Sequence, residues 1–359
     1  MNKKLVALAV TGALALPVAA QAQTANVTLY GRVHMDVEVV NGRQVSGSNP
    51  NVFRVSSNSS RFGIRGTEAL SGGLNAIFQI ESGVPADVGG GTLAGRDTFV
   101  GLQGAWGTAR MGLFHAPYDR INDIFGSVPT YQTGILGSAG IWAQGSTSKA
   151  NGGFDDRLAN SVRYDTPNMS GITASIQYGA GENAVHTGVL SAGIFYNNGP
   201  IELGLAQQHN EKFRGPTLDD DAYSVSGAYN FGFIRPAVVY EHLKYETPTG
   251  NLKRNFWGVS VTAPVGVGTV YALYGRANDG TGGAANGTRV GGLAKGSDSS
   301  ASMYEISYTY PLSKRTVVYA GYVKIENDSN ASYNFGVNNY PTAIGGKPGG
   351  FILGASHSF

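Results

Sequence analysis

About sixteen stretches of this chain alternate apolar with polar residues, each about as long as a tilted strand that crosses a bilayer. They lie near 27–37, 61–68, 74–83, 97–103, 108–115, 160–166, 171–179, 187–197, 200–210, 221–231, 233–245, 253–263, 268–277, 302–310, 315–326 and 350–359. In Ile172-Thr173-Ala174-Ser175-Ile176-Gln177-Tyr178 every even position is apolar and every odd one polar. Val27 to Glu38 places Arg32, His34, Asp36 and Glu38 on one face, and Met303 to Tyr310 opposes Tyr304, Ile306, Tyr308 and Tyr310 to Glu305, Ser307 and Thr309. Successive side chains of a strand point to opposite faces, so charge confined to one parity requires water on that side. Beyond the first 22 residues no apolar run is long enough for a spanning helix, so any membrane crossing must be made by strands closed on one another.

The connections sort by length. Gly104-Ala105-Trp106-Gly107, Asn197-Asn198-Gly199, Asn230-Phe231-Gly232, Pro264-Val265-Gly266 and Pro311-Leu312-Ser313 are short, whereas 38–60, 84–96, 116–159, 276–301 and 327–349 are long. Alternating short and long links puts tight turns at one end of a closed sheet and loops at the other. The expected fold is therefore all-β: a 16-stranded antiparallel transmembrane β-barrel, wide enough for an aqueous channel. The 19 tyrosines suit a membrane–water boundary, and 53 glycines suit turns and crowded wall positions.

Met1 to Ala22 has the pattern of a secretory signal: Lys3 and Lys4, the apolar Leu5–Leu16, Pro17, and the small-x-small site Ala20-Gln21-Ala22. The domain organisation is then 1–22 signal and 23–359 barrel. Without Lys3 and Lys4, 24 basic residues face 24 acidic ones, so net charge gives no reason to expect a nucleic-acid partner. Cysteine is absent, which removes thiolate nucleophiles and zinc–cysteine sites. The scattered histidines give no metal spacing, Gly89-Gly90-Gly91 lacks the lysine of a phosphate loop, and no Gly-x-Ser-x-Gly is present. No cofactor, metal or enzymatic activity is expected.

The last strand places Phe359, His357, Ala355, Leu353 and Phe351 on one face and ends in an aromatic residue. This resembles the assembly signature of bacterial outer-membrane barrels, with Phe359 as the signal. Val27-Thr28-Leu29-Tyr30-Gly31-Arg32, Ser60-Arg61-Phe62-Gly63-Ile64-Arg65-Gly66-Thr67-Glu68, Leu74 to Gly83 and Asn160-Ser161-Val162-Arg163-Tyr164-Asp165-Thr166-Pro167 resemble the general porins of Gram-negative bacteria, most closely the β-proteobacterial trimeric porins.

That resemblance implies a homotrimeric diffusion channel of the outer membrane, exported through the periplasm and passing small hydrophilic solutes and ions. Its partners would be outer-membrane lipid, lipopolysaccharide and the barrel-assembly machinery. It also implies a third loop, about Ala116 to Ala159, folded into the lumen. The matched motifs put a basic wall at Arg32, Arg61, Arg96 and Arg157, and strand parity adds Arg65 and Arg163. On the loop, Asp119, Asp123, Asp155 and Asp156 are the acidic candidates, although the Pro-Glu-Phe-Gly-Gly motif of enterobacterial members is missing. An anion-leaning lumen is the expectation. The rival readings are a substrate-selective channel of the same fold, a barrel enzyme of the outer membrane, and a loop-borne adhesin.

Overall fold

The computed structural model describes residues 26–42, 50–125, 134–143, 152–182, 187–340 and 342–359. The expected signal segment 1–22, His186 and parts of the first, third and fourth loops lie outside them. Seventeen hydrogen-bonded segments form one sheet. Two of them, Val52–Ser57 and Arg61–Ala69, pair in succession with the same neighbour and constitute one interrupted strand, so the barrel has sixteen.

In chain order these are β1 (Asn26–Asn41), β2 (Val52–Ser57 and Arg61–Ala69), β3 (Asn75–Gly83), β4 (Thr98–Gly104), β5 (Gly107–His115), β6 (Arg157–Asp165), β7 (Ile172–Ala180) and β8 (Gly188–Asn198). Then follow β9 (Ile201–Glu211), β10 (Asp220–Tyr229), β11 (Arg235–Thr247), β12 (Gly250–Val265), β13 (Gly268–Ala277), β14 (Ala301–Pro311), β15 (Thr316–Asn327) and β16 (Gly349–Ser358). Each pairs antiparallel with the next, and β16 closes on β1 with Arg32 opposite Ser358 and Asn41 opposite Gly349. Closure leaves no edge strand, which the hydrocarbon core of a bilayer demands.

Exposure alternates as the sequence parity requires. On β1, Val33, Val37 and Val39 face outward while His34, Asp36 and Glu38 are buried inside. At the seam, Phe359 pairs through its backbone with Gly31 (N–H to O, 3.0 Å and 3.1 Å). Its ring lies where a Cβ on Gly31 would come within 2.3 Å, so a larger residue there would have to displace the ring.

Three expectations change. The segment 38–60 is not one long loop: β1 runs to Asn41 and β2 begins at Val52, with Phe53 and Val55 outward and Ser56 inward. The link 246–252 between the expected strands 233–245 and 253–263 shrinks to Pro248-Thr249, because β11 and β12 extend 13 and 16 residues, beyond the ~9–11 a bilayer requires. The third connection spans 116–156, since β6 starts at Arg157 rather than near Asn160. Asn160 has φ 49°, a left-handed conformation that asparagine tolerates, and the ladder to β5 shifts register between Gly112 and Phe114. The bulge disguises the start of the strand as loop.

Inside the barrel the third loop lies against the inner wall of β8–β12 as a 3-10 helix, Pro117–Phe125, followed by short turns. Tyr118, Ile121, Ile124, Phe125, Ile135, Leu136, Ile141, Trp142 and Phe154 are buried there with Leu243, Tyr245, Leu252 and Phe256 of the wall. Loop segments bearing Val290, Leu293, Tyr333 and Phe335 join the same cluster. This half of the barrel is filled; the water-lined half is β16 and β1–β7.

Candidate pore constriction

A spacing of three places Tyr118, Ile121 and Ile124 on one side of the 3-10 turn, where they anchor it to the wall. Glu241 on β11 receives the Tyr118 hydroxyl (2.7 Å) and the backbone N–H of Ala143 (3.0 Å). Arg254 on β12 pairs with Glu241 and donates to Ile141 O at 2.6 Å. Arg235 holds the far end through Ile124 O at 2.9 Å. The loop is thus fixed across the lumen, and Asp119, Arg120 and Asp123 line the space left between it and the wall.

Between loop and wall is a cavity of about 280 Å³ lined by Arg61, Glu81, Arg96, Asp97, His115, Asp119, Arg120, Asp123 and Arg157. Its four arginines face four carboxylates, and the groups interlock. Arg96 Nε lies 2.6 Å from Glu81 Oε1, Arg61 Nε lies 3.8 Å from Glu81 Oε2, and Arg157 Nε lies 2.6 Å from Asp97 Oδ1. His115 bridges Asp97 (4.0 Å) and Asp119 (3.5 Å). Burial, with Asp155 and Asp156 close by, holds the Asp119 carboxyl well above the ordinary carboxylate range. Burial and Asp156 push Asp155 up to about 6. Asp97 goes the other way: burial opposes ionisation, but His115 and Arg157 keep it below its usual value.

Arg32 and Arg61 are directly opposite one another on β1 and β2. Like charges so placed are destabilising. Glu81 serves Arg61, whereas Arg32 reaches backbone carbonyls, Asn58 O and Ser59 O, both at 3.5 Å. Arg65 lies 5.0 Å from the Tyr30 ring centroid. A similar pair, Arg110 and Arg163 on β5 and β6, is relieved by Asp165 at 2.7 Å and 2.6 Å.

Of the ten charged residues expected from sequence, Arg61, Arg96, Arg157, Asp119 and Asp123 line this one cavity. Arg32 and Arg65 line an adjoining one toward the turn end. Asp156 accepts the Arg157 N–H at 2.7 Å, and Asp155 acts on Asp119 through its charge. Arg163 is inward but is held in the wall by Asp165, Ser175 and His115 O. Sequence reasoning missed Asp97, His115, Arg110 and Arg120. Arg110 was open to a parity argument, being opposite in phase to the outward Met111. Arg120 had no such signal, since its direction depends on how the loop docks; it stacks over Phe195 at 3.9 Å.

The family model described as "Gram-negative porin" matches residues 6–330. "Outer membrane porin protein 32" of Delftia acidovorans is 32% identical over 382 aligned residues, covering 100% of both chains. "Major outer membrane protein P.IB" of Neisseria gonorrhoeae is 30% identical, covering 73% of this chain and 71% of its own. Among solved structures, "Anion-selective porin from Comamonas acidovorans" superposes with a TM-score of 0.76 at 27% identity, covering 93% of this chain and 100% of that one.

Proposed function

Because this chain belongs to the Gram-negative porin family, we propose that its outer-membrane barrel is a homotrimeric diffusion channel whose wall favours anions. The observation that carries the anion preference is the opposed pair Arg32 and Arg61, one carboxylate between them, beside Arg65 with none in its described contacts. Arginine remains charged at any relevant pH. In an aperture comparable to the ~8 Å Debye length at physiological salt, such charges are not screened away. One structural relative is itself titled anion-selective.

The basic wall comprises Arg32, Arg61, Arg65, Arg96 and Arg157, with Arg163 as a wall brace. Asp119, Asp123, Asp155 and Asp156 form the acidic side. The raised carboxyls of Asp119 and Asp155 leave that side weaker than its count suggests. The channel reading supplies no role for a nucleophile or cofactor, and we read the chain as non-enzymatic.

Trimerisation is supported by the outer surface. Exposed tyrosine and tryptophan occur along β6–β15, at Tyr164, Tyr178, Tyr223, Tyr229, Tyr240, Trp257, Tyr304 and Tyr310. On the strands β16 and β1–β5 the exposed large side chains of the described residues are Val, Leu, Ile, Met and Phe, while Trp106 is exposed in the β4–β5 turn, stacked beside Tyr164 of β6. Tyrosine and tryptophan seek the lipid–water boundary, so the strands that expose neither, bounded by Trp106 at the β6 edge, suit a second copy of this chain. Phe359 is the assembly signal, seated on Gly31 at the closing seam.

The deciding measurement is the zero-current potential of the purified protein in planar bilayers under a potassium chloride gradient. The expected sign is anion preference, strongest at low salt. A cation-selective potential at neutral pH would overturn the anion reading, and absence of stepwise conductance from folded trimer would overturn the channel reading.

A further inference from the structure

On the turn side of the constriction lies a second cavity, of about 620 Å³, lined by Tyr30, Arg32, Arg61, Arg65, Gln79, Glu81, Lys314, Arg315 and Ser358 among others. Its charge differs from that of the constriction. Five cationic side chains face one carboxylate side chain, Glu81, already held by Arg96 at 2.6 Å and by the Tyr30 hydroxyl at 3.0 Å, and the main-chain carboxyl of Phe359, which also lines the cavity, accepts the Gly31 N–H at 3.1 Å. Lys314 and Arg315 come from the turn between β14 and β15, on the far side of the β16–β1 seam from Arg61 and Arg65. Arg315 is tied by its backbone alone in its described bonds, through its N–H to Ser313 Oγ and its carbonyl to the Ser358 N–H. Basic residues of β1, of β2 and of the β14–β15 turn therefore line one cavity.

We infer that this vestibule is a binding station for multiply charged, phosphate-bearing solutes, separate from the constriction and reached from the periplasmic mouth. The inference rests on the channel reading above and deepens it. A univalent anion can balance one of these cations. A solute with two phosphoryl groups can accept paired N–H donors from Arg32 or Arg65 and still meet Lys314 or Arg315, satisfying charges that have no carboxylate side chain in their described contacts. The short turns of such barrels lie on the periplasmic side, so the station is approached from there without passing the third loop. Retention should consequently depend on the side of addition.

The test uses oriented trimers in planar bilayers at low salt, with inorganic pyrophosphate added to one side at a time and sulfate-free chloride as the reference at equal ionic strength. Block from the periplasmic side should occur at concentrations about tenfold lower than from the loop side. In the Lys314→Gln/Arg315→Gln protein that difference should disappear. Equal block from both sides, or an unchanged side dependence in the double variant, would overturn the station while leaving the porin reading and its zero-current potential untouched. A chemical measurement needs no conductance: pyrophosphate, unlike chloride, should slow acylation of Lys314 in wild-type trimer several-fold. Equal rates in the two salts would also reject the proposal.

Discussion

The two halves of the inner wall solve the same problem in opposite ways. Along β8–β15 the inward side chains include Phe195, Leu243, Leu252, Phe256, Leu273 and Met303, covered by the third loop and buried. Along β16 and β1–β7 they include Arg32, His34, Asp36, Arg61, Arg65, Glu81, Arg163 and Gln177, held to one another or left to water, although Val40 and Ile352 join the apolar cluster. Both halves are strands of alternating pattern with an apolar outer face. The difference teaches that a large barrel does not need a uniformly polar interior. It needs a polar path, and the rest can be closed with a loop that brings its own hydrophobic face.

Charge follows the same division. In the filled half, Glu241 and Arg254 are both fully buried and bonded to loop groups, so their task is attachment. In the open half, Arg32 and Arg61 repel each other and are kept beside water.

The largest break in this contrast should come from Arg254→Met. It strands Glu241 in a buried site, a change that typically costs about 3–5 kcal/mol. The expected outcome is a loosened third loop: noisier, larger single-channel conductance and faster proteolysis within the loop. Glu241→Leu/Arg254→Met should recover much of the loss. Protease resistance equal to wild type in the single variant would show that the clamp is not what holds the loop.

At the seam joining the water-lined strands, Gly31→Leu should displace the Phe359 ring and lower the yield of heat-modifiable trimer severalfold. Leucine would also crowd Arg61 O, at 2.9 Å from a Cβ, so Gly31→Ala with Phe359→Ala is the companion variant and should assemble better than Gly31→Ala alone. Trimer yield that ignores both changes would remove Phe359 from the assembly account.

Neutralising the open half acts on selectivity rather than on folding. Arg32→Ala/Arg61→Ala should move the zero-current potential toward cations, most at low salt, because the acids around them persist. A folded double variant with the wild-type potential would assign selectivity elsewhere.

The smallest effect concerns pH. Asp155 titrates near 6, raised chiefly by burial and by Asp156. As pH falls through that value the group gains a proton and the loop side loses a negative charge, so anion preference should increase. In Asp155→Asn this step should be absent and the neutral-pH potential should already sit at the low-pH value. A pH step of unchanged size in that variant would place the titration on another group.

Local alternation settled a good deal before any coordinates. The faces of β1 or β7 follow from side-chain period alone, because a one-residue slip would turn every charge toward lipid. Hence the barrel class, its strand number and the inward direction of Arg32, Arg61, Arg65 and Arg163 were legible in the amino acids. Irregular backbone defeats that reasoning. The interrupted β2 with its Asn58–Ser60 break, the bulge at Asn160 and the tall β11–β12 hairpin were misjudged where periodicity is broken or prolonged past the membrane.

The constriction was legible in its residue types but not in its pairings. Nothing near Glu81 in sequence shows that Arg61, Arg96 and Tyr30 converge on it, and nothing near Lys314 shows Arg32 across the seam. The Glu81 meetings depend on the register of β1, β2 and β3, and Lys314 reaches the cavity of Arg32 only because β16 closes on β1. Which way a strand residue faces is a property of two neighbouring dihedrals; which charge it meets across a lumen is a property of the whole closed surface.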